Sequence, residues 1–446
     1  MRYLPNTEQE MQEMLRRVGV PSVDSLFESI PVGSRLRHPL NLPPPLTEID
    51  LRHHLRELSR RNAHGEEYAS FLGAGCTSHY VPSVVGALIQ RGEFLTAYTP
   101  YQPEVSQGTL QAIFEYQTMV SEILGMEIAN ASHYDGSTAT AEAVLMALRL
   151  VNRPKVLVSS AVHPEYRELL KTYLKNQDAK PVEVPFTQEG GIDLDFLSSE
   201  IDSETACFVA STPNFFGVVE DLTPLAKKLH DAGALLITTS PEPLAFGIFK
   251  SPGEMGADIA VAEGQSFGNP LNFGGPSLGL FATRNDFVRN LPGRLVGETV
   301  DQEGQRGFVL TLATREQHIR RDRATSNICT NVALCALAAT ITLSLFGKKG
   351  FEQLALTNFR RTEELKRRLR GMKFEIPFSG TTFNEFVLNL RGNAKESLKK
   401  LREKKIFGGA PLECWYPQLE NSLLVCLTET TSDEQVDRFL KALESL

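Results

Sequence analysis

The first seventy residues are mostly polar and are interrupted by prolines. Apolar side chains recur at helical spacing within residues 7–18, which predicts a short helix there. Prolines at positions 39, 43, 44 and 45 then predict an extended stretch, because proline fixes its backbone and donates no amide hydrogen bond. This part of the chain is too polar to bury a core of its own, so we expect an arm laid over another surface.

From residue 109 onward, apolar runs of strand length alternate with stretches of helical periodicity. Helices are predicted over residues 109–124, after Pro164 and over residues 222–232. Short apolar runs predict buried strands at residues 156–160, 206–211, 235–239, 259–262 and 278–283. Strands separated by helices usually form parallel sheets covered on both faces, so the pattern predicts an α/β domain with a mainly parallel sheet.

The rest of the chain returns to helical periodicity and ends in a mixed pattern. Helices are predicted over residues 332–345 and 350–370, and residues 374–446 predict strand, strand, helix, strand, helix. A chain of 446 residues also exceeds one ordinary hydrophobic core. We therefore expect three parts, listed in chain order: an N-terminal arm at 1–70, a large domain at 71–330 and a smaller C-terminal α+β domain at 331–446.

Composition and charge narrow the class of protein. Apolar residues make up 41% and charged residues 22%, as in soluble globular proteins, and the net charge of -8 offers no basic surface for nucleic acid. No stretch resembles a signal peptide or reaches the length of a membrane span, so we expect a cytoplasmic protein with no membrane partner. Six scattered cysteines without a C-x-x-C pair favour reduced thiols over disulfides or a metal site.

Two segments could contact a ligand. Gly136, Ser137 and Thr138 open an alanine-rich helix, whose free backbone amides and positive dipole end are a suitable seat for a phosphate. A plain helix cap by Asp135 or Ser137 is the simpler interpretation, and both can hold together. His163 follows a predicted strand, where open sheets place their ligands, and could stack on a planar cofactor ring or merely begin the next helix.

Residues 256–268 have the layout of a buried strand followed by the cofactor lysine of aminotransferase-like enzymes. Gln265 stands at about the position of that lysine, and no lysine occurs between Lys250 and Lys348. An amide nitrogen cannot condense with the aldehyde of pyridoxal phosphate, because its lone pair is delocalised into the carbonyl group. The sequence therefore predicts the scaffold of a cofactor enzyme without the covalent anchor.

A second element of the same site is also missing. Aminotransferase-like enzymes end the preceding strand in an aspartate that keeps the pyridine nitrogen of the cofactor protonated. Here that strand ends in Thr238, Thr239 and Ser240, and none of these hydroxyl groups supplies a negative charge. Two missing elements together argue against imine chemistry by this chain alone.

A loop stiffened by Pro100 and Pro103 carries aromatic and polar side chains. Its candidate ligand or partner contacts are Tyr98, Thr99, Tyr101, Gln102 and Glu104. Rigid aromatic rings with polar tips suit recognition of a small polar ligand or of a partner surface. Tyrosines that simply pack at a proline-rich bend are the alternative.

Residues 314–329 contain four arginines among acidic and polar neighbours, and Arg315 is the first of them. Guanidinium groups in such a segment could bind a carboxylate or phosphate through two parallel hydrogen bonds. A solvated helix with ion pairs along its own surface is the alternative.

With these segments in order, the chain closely resembles the glycine dehydrogenase (decarboxylating) family, the P-proteins of the glycine cleavage system. It is most similar to the first subunit of the split, two-subunit form, and the resemblance covers essentially the whole chain. The runs that carry it are SFLGAG at residues 70–75, TPYQPE at 99–104, YDGSTA at 134–139 and TREQHIRR at 314–321.

The resemblance implies an aminotransferase-like fold, known as pyridoxal-phosphate fold type I, in which the second subunit alone carries the cofactor lysine. It further implies a heterotetramer of two copies of each subunit, which decarboxylates glycine and passes the aminomethyl group to the lipoyl arm of the H-protein. Gln265 and the hydroxyl run at residues 238–240 fit a first subunit. Tyr98, Thr99, Tyr101, Gln102, Glu104 and Arg315 are then candidates to complete the partner's active site, with no catalytic residue in this chain alone.

Two other interpretations stay open at this point. The chain could be a catalytically silent structural or regulatory partner, which stabilises another protein without shaping its catalysis. It could also be a stand-alone lyase that binds pyridoxal phosphate, or another anion, without a covalent bond at Gly136–Thr138. The absence of a carboxylate at residues 238–240 disfavours the lyase.

Overall fold

The computed structural model describes residues 5–36, 38–328 and 331–446, and the chain divides into two compact units, residues 1–63 and 64–446. The first unit contains α1 (Glu8–Val18), as the sequence predicts, and α2 (Glu48–Ser59), which it does not predict. Each helix begins after a threonine whose hydroxyl oxygen accepts a backbone amide hydrogen bond. Leu15 is the only buried side chain among the described residues of this unit, so the unit has no core of its own.

The second unit contains the remaining strands and helices. Its strands are β1 (Ala69–Ser70), β2 (Ile128–Ala129), β3 (Lys155–Ser159), β4 (Lys180–Val184), β5 (Thr205–Ser211), β6 (Leu235–Ser240), β7 (Ile259–Glu263), β8 (Gly279–Thr283), β9 (Leu295–Val300), β10 (Arg306–Thr311), β11 (Glu385–Asn389), β12 (Ile406–Phe407), β13 (Ala410–Pro411) and β14 (Ser422–Cys426). Its α-helices are α3 (Ser83–Ile89), α4 (Gly92–Leu95), α5 (Gln107–Leu124), α6 (Gly136–Val151), α7 (Pro164–Leu174), α8 (Leu194–Glu200), α9 (Thr223–Asp231), α10 (Gln317–Arg320), α11 (Ala333–Gly371), α12 (Ala394–Glu403) and α13 (Asp433–Glu444).

A seven-stranded sheet of order β2–β8–β7–β6–β5–β3–β4 lies at the centre of the second unit. Strands β3 to β7 pair in parallel, whereas β8 pairs antiparallel with both of its neighbours, β7 and β2. The predicted α/β fold with a mainly parallel sheet is confirmed. The carboxyl ends of β3, β5, β6 and β7 therefore meet at one edge of the sheet, where such folds place their ligands.

Helices cover both faces of this sheet. Val156 and Val158 of β3 face a core that includes α6 and α7, whereas Leu157 between them faces a second core with α8 and α9. The same alternation separates Val209 from Phe208 in β5. Because both of their faces are buried, β3 and β5 appear in the sequence as largely continuous apolar runs, whereas the edge strand β4 is mostly exposed and shows no such run.

The C-terminal part of the second unit adds smaller elements. Strands β11, β14 and β13 form an antiparallel sheet whose core includes α12 and α13, and β1 pairs in parallel with β12. The predicted order after residue 374 differs from this, because the first expected strand is reduced to a single bridge between Glu375 and Asn389. The antiparallel β9–β10 hairpin is likewise absent from the prediction.

Helix α11 consists of two helical segments joined at a kink, which agrees with the two helices predicted at residues 332–345 and 350–370. Its regular backbone is interrupted at Gly347, which has φ 58° and ψ -178°. By length and composition this helix could cross a membrane, which corrects the expectation that no stretch reaches such a length. Ala336, Ala339 and Leu343 nevertheless pack in a core beside the sheet, and core helices commonly pass the same test.

The predicted boundary at residue 330 lies outside the described residues, as does Cys329. Residues 64–446 form a single compact unit, and the three-part division stays a prediction. The other five cysteines are free thiols. Within the described ranges, no group of three or more histidine, cysteine, aspartate and glutamate side chains is arranged to hold a metal ion.

Candidate functional site

Gln265 lies just beyond the end of β7 and is buried. Its side-chain oxygen accepts a hydrogen bond from the Thr77 amide at 3.2 Å, and its side-chain nitrogen donates to the Asn269 carbonyl oxygen at 2.7 Å. Both ends of the amide are therefore bonded within the chain. Gln265 holds two loops together at the position where a cofactor lysine would stand.

The sequence offered the start of α6 as a possible phosphate-binding site. In the structure, carboxylates of the chain itself accept hydrogen bonds from the amides there. The buried Glu263 carboxylate accepts from the Gly136 amide at 2.9 Å, and the Asp135 carboxylate accepts from the Thr138 amide at 2.7 Å. Ser137 donates its hydroxyl hydrogen to Asp135 at 2.9 Å. A phosphate at this helix end would meet negative charge, so the capping interpretation describes it and we propose no anion here.

Burial raises the pKa of Glu263 to about 7. The cost of burying the charge is partly offset by backbone amides, since Gln265 and Leu278 donate to the second carboxylate oxygen at 3.0 and 2.9 Å. A glutamate at the end of β7 thus replaces an external anion as the partner of the Gly136 amide.

His163 caps α7 instead of presenting an open face to a ring. Its Nδ1 accepts from the Glu165 amide at 3.2 Å, so Nε2 carries the hydrogen and donates to the Ala74 carbonyl oxygen at 2.9 Å. The ring stacks on Tyr166 at 4.8 Å and meets the edge of Phe215. Burial lowers the pKa of His163, which keeps the imidazole neutral. The helix-start interpretation describes this residue.

Thr238 and its neighbours at the end of β6 are buried and supply no negative charge. The Thr239 hydroxyl lies 3.1 Å from the Thr140 hydroxyl, whereas the hydroxyls of Thr238 and Ser240 have no partner among the described residues. The nearest carboxylate along the chain, Glu242, accepts from the Thr77 hydroxyl at 2.6 Å. The Glu242 carboxylate is therefore hydrogen-bonded to another residue of the same chain.

Sequence reasoning missed a buried charged triad beside this strand end. His79 Nε2 lies 3.0 Å from Glu242, and its Nδ1 lies 2.9 Å from Glu429. Burial alone would lower the pKa of His79, but the two carboxylates together raise it to about 10, so the ring is cationic at neutral pH. Burial would raise the pKa of Glu429, yet bonds to His79, the Tyr80 amide and Asn358 lower it to about 2. The triad joins residues about 350 positions apart, which no local pattern could indicate.

The proline-stiffened loop lies on the surface of the second unit. Tyr98 is 82% exposed, Gln102 and Glu104 are also exposed, and Thr99 is half-buried with its carbonyl oxygen accepting from the Tyr101 amide at 2.8 Å. Most of the polar side chains of this loop are therefore exposed and available to a ligand or to a partner protein.

Arg294, which the sequence analysis did not single out, joins this loop to the arginine-rich segment. It is buried, donates to the Tyr101 hydroxyl at 3.0 Å, lies over the Tyr101 ring at 5.4 Å and sits 3.5 Å from the Glu316 carboxylate. Arg315 lines the same small cleft, and two of its nitrogens have no partner among the described residues. Arg294 therefore contacts Tyr101 of the loop and also lines a cleft together with Arg315 of the arginine-rich segment.

A bound pyridoxal phosphate does not fit the strand-end site of this chain. No amine stands at residue 265, Glu263 takes the place of a phosphate at α6, and His163 is bonded to Ala74. The sheet and the residues at its edge define the class: a protein of pyridoxal-phosphate fold type I with a glutamine, and no lysine, at residue 265.

Distant solved structures confirm that fold. The chain superimposes on a sphingosine-1-phosphate lyase from Burkholderia pseudomallei with a TM-score of 0.67 at 15% identity, covering 93% of this chain and 94% of the other. A NifS-like protein from Rickettsia africae gives a TM-score of 0.63 at 12% identity, covering 85% and 99%. At these identities the likeness concerns the fold alone.

The chain belongs to the glycine cleavage system P-protein family, whose model matches residues 1–443. It is 50% identical over 448 residues to a protein of Anaeromyxobacter dehalogenans named "Probable glycine dehydrogenase (decarboxylating) subunit 1", covering all of both chains. A Geobacillus protein of the same name is 49% identical and covers 99% of this chain and 98% of its own. A crystal structure of glycine decarboxylase (P-protein) in inhibitor-bound form matches with a TM-score of 0.90 at 46% identity over the full length of both chains.

Proposed function

We propose that this chain is the first of two subunits that together form a glycine-decarboxylating P-protein. Relatives covering its whole length carry that name, and the covalent anchor for the cofactor is absent here, as a two-subunit division of labour requires. Pyridoxal phosphate supplies the electron sink for decarboxylation, and we place it on the second subunit.

The further partners follow from the same proposal. The substrate is glycine, the acceptor of the aminomethyl group is the lipoyl arm of the H-protein, and the assembly contains two copies of each subunit. We expect the complex in the cytoplasm. The family membership of the chain supports these assignments.

We further propose that the surface loop of residues 98–104 completes the partner's active site. One observation carries this: Arg294 fixes the hydroxyl and ring of Tyr101, while the neighbouring Tyr98 is left 82% exposed. A rigid aromatic presented at a surface is suited to orienting a ligand at low entropic cost. Thr99, Gln102 and Glu104 would add polar contacts.

Arg315 would act beside this loop. Its unpartnered guanidinium nitrogens, taken over the described residues, are suited to a carboxylate or phosphate group, and burial lowers its pKa. Glu316 lines the same cleft, and its negative charge partly offsets the positive charges of Arg294 and Arg315.

The test is a reconstituted pair that carries Tyr101→Phe or Gln102→Ala in this chain. Removing the Tyr101 hydroxyl breaks its hydrogen bond to Arg294, so the ring is no longer fixed in place and we expect glycine–bicarbonate exchange to fall roughly tenfold. Tyr173→Phe on α7, outside the loop, is the matched control and should retain full exchange. Unchanged kinetics in both loop variants would leave only a structural role for this chain.

A further inference from the structure

A short loop of this chain lies between His163 and Gln265 and is hydrogen-bonded to both. Residues 73–77, here named the plug segment, contact two of the residues at which the sequence predicts cofactor contacts. The Ala74 carbonyl oxygen accepts from His163 at 2.9 Å, and the Thr77 amide donates to Gln265 at 3.2 Å. The plug segment therefore spans the gap between the predicted ring-stacking residue and the residue that replaces the lysine.

The backbone of the plug segment is pressed against these side chains. A Cβ atom added at Gly75, where φ is +96°, would lie 2.6 Å from the His163 ring nitrogen Nε2. A Cβ atom added at Gly73 would lie 2.1 Å from the Glu385 carboxylate. A space that cannot admit one methyl group beside His163 cannot admit a pyridine ring in the same place.

Buried polar bonds hold the plug segment from the other side. The Ala74 amide donates to Glu385 at 2.7 Å, and the Thr77 hydroxyl donates to Glu242 at 2.6 Å. Two residues further on, His79 lies between Glu242 and Glu429. Displacing the segment would remove the Ala74 donor from the buried Glu385 carboxylate and the Thr77 donor from the buried Glu242 carboxylate, which is costly.

We propose that the plug segment has permanently taken the place of the cofactor, so that restoring a lysine at residue 265 does not restore cofactor binding. The backbone between β1 and α3 then prevents cofactor binding, in addition to the missing lysine side chain at residue 265. This concerns the chain by itself and does not depend on which residues reach the partner's active site.

The first test uses Gln265→Lys, with wild type as the matched control for imines formed by surface lysines. Each protein is incubated with pyridoxal phosphate, reduced with borohydride and mapped by mass spectrometry. We expect no modification at residue 265 and no imine absorbance beyond that of wild type. One equivalent of cofactor trapped on the introduced lysine would overturn the proposal.

A second measurement needs no substitution and so cannot fail through misfolding. Hydrogen–deuterium exchange of the wild-type chain should show slow exchange at the amides of Ala74 and Thr77, because both donate to buried side chains. Excess pyridoxal phosphate should leave those rates unchanged. Faster exchange in the plug segment on adding the cofactor, together with saturable binding, would show that the segment yields and would contradict the proposal.

Discussion

At the scale of single residues, several of the positions predicted to contact a cofactor form hydrogen bonds within the chain, whereas the Thr238 hydroxyl has no partner among the described residues. Gln265 satisfies its amide at both ends, Glu263 meets the amides at the start of α6, and His163 donates to Ala74. Buried polar groups need partners, so a site that loses its ligand is stable only when its own side chains replace those bonds. The glutamine at residue 265 is therefore accompanied by intrachain bonds at residues 136 and 163.

The charged triad at His79 predicts a pH dependence of stability. The pKa of His79 is about 10 in the folded chain against an ordinary value of 6.5, so the folded state holds more protons than the unfolded state between these values. The contribution of His79 to the stability of the fold is complete below pH 6.5 and is lost as the pH rises through 10. We expect the melting temperature to fall as the pH is raised from 7 to 9.

Replacing the imidazole isolates this effect. His79→Asn should lower the melting temperature at pH 7 and flatten its decline between pH 7 and 9, because the group that releases the proton is gone. His54→Asn, on the exposed face of α2, is the matched control and should retain the wild-type slope. A His79→Asn chain with an unaltered slope would show that this ring is not the titrating group.

At the scale of secondary-structure elements, the central sheet could be predicted and the site around it only in part. Strands buried on both faces leave continuous apolar runs, and these located β5 and β7 closely. Gln265 and Thr238 were identifiable because they follow such runs directly. His79 and Arg294 were not, because their partners Glu429 and Tyr101 lie about 350 and 193 positions away. Contacts at such separations are set by tertiary packing and leave no local signal.

The interruption in α11, by contrast, could be predicted from the sequence. The periodicity predicts two helices with a gap near Gly347, and the structure has two helical segments joined through this single residue of unusual backbone geometry. A φ of 58° with an extended ψ is tolerated essentially by glycine alone. Without its left-handed turn at this point, the second half of α11 could not keep its direction relative to the first.

Gly347→Ala should therefore destabilise the chain through backbone strain alone. No atom lies within 4 Å of an added Cβ, so steric contact adds nothing, and we expect a loss of about 1–3 kcal/mol in the free energy of unfolding. Gly371→Ala, at the end of the same helix with equally open surroundings and no positive φ, should be neutral or slightly stabilising. Equal denaturation midpoints for the two variants would exclude backbone strain at Gly347.

At the scale of the whole molecule, the fold is pyridoxal-phosphate fold type I, and we propose that the second subunit carries the cofactor. The purified chain should accordingly catalyse no glycine-dependent exchange of carbon dioxide, and exchange should appear when a second subunit is co-expressed. Size measurement of the co-purified complex tests the expected two copies of each chain. Activity of the chain by itself would contradict the proposed division of labour.

The N-terminal unit exposes apolar side chains that are suited to contact with another protein surface. Leu36, Leu42 and Ile49 are each about 70% exposed, and residues of this kind recur throughout the unit. Apolar side chains left in water at this density are a feature of segments that bind another surface. We expect the predicted arm to become ordered on the partner when the two subunits assemble.

Limited proteolysis with a protease of broad specificity tests this expectation. In the isolated chain, cleavage should concentrate between α1 and α2, because this stretch has no core to protect it, while residues 64–446 remain intact. In the assembled complex the same sites should be cut at least several-fold more slowly, since burial of the leucines against the partner would have to be reversed before each cut. The intact second unit is the internal control in both digests. Cleavage of the arm at the same rate with and without the partner would mean that its apolar side chains serve another surface.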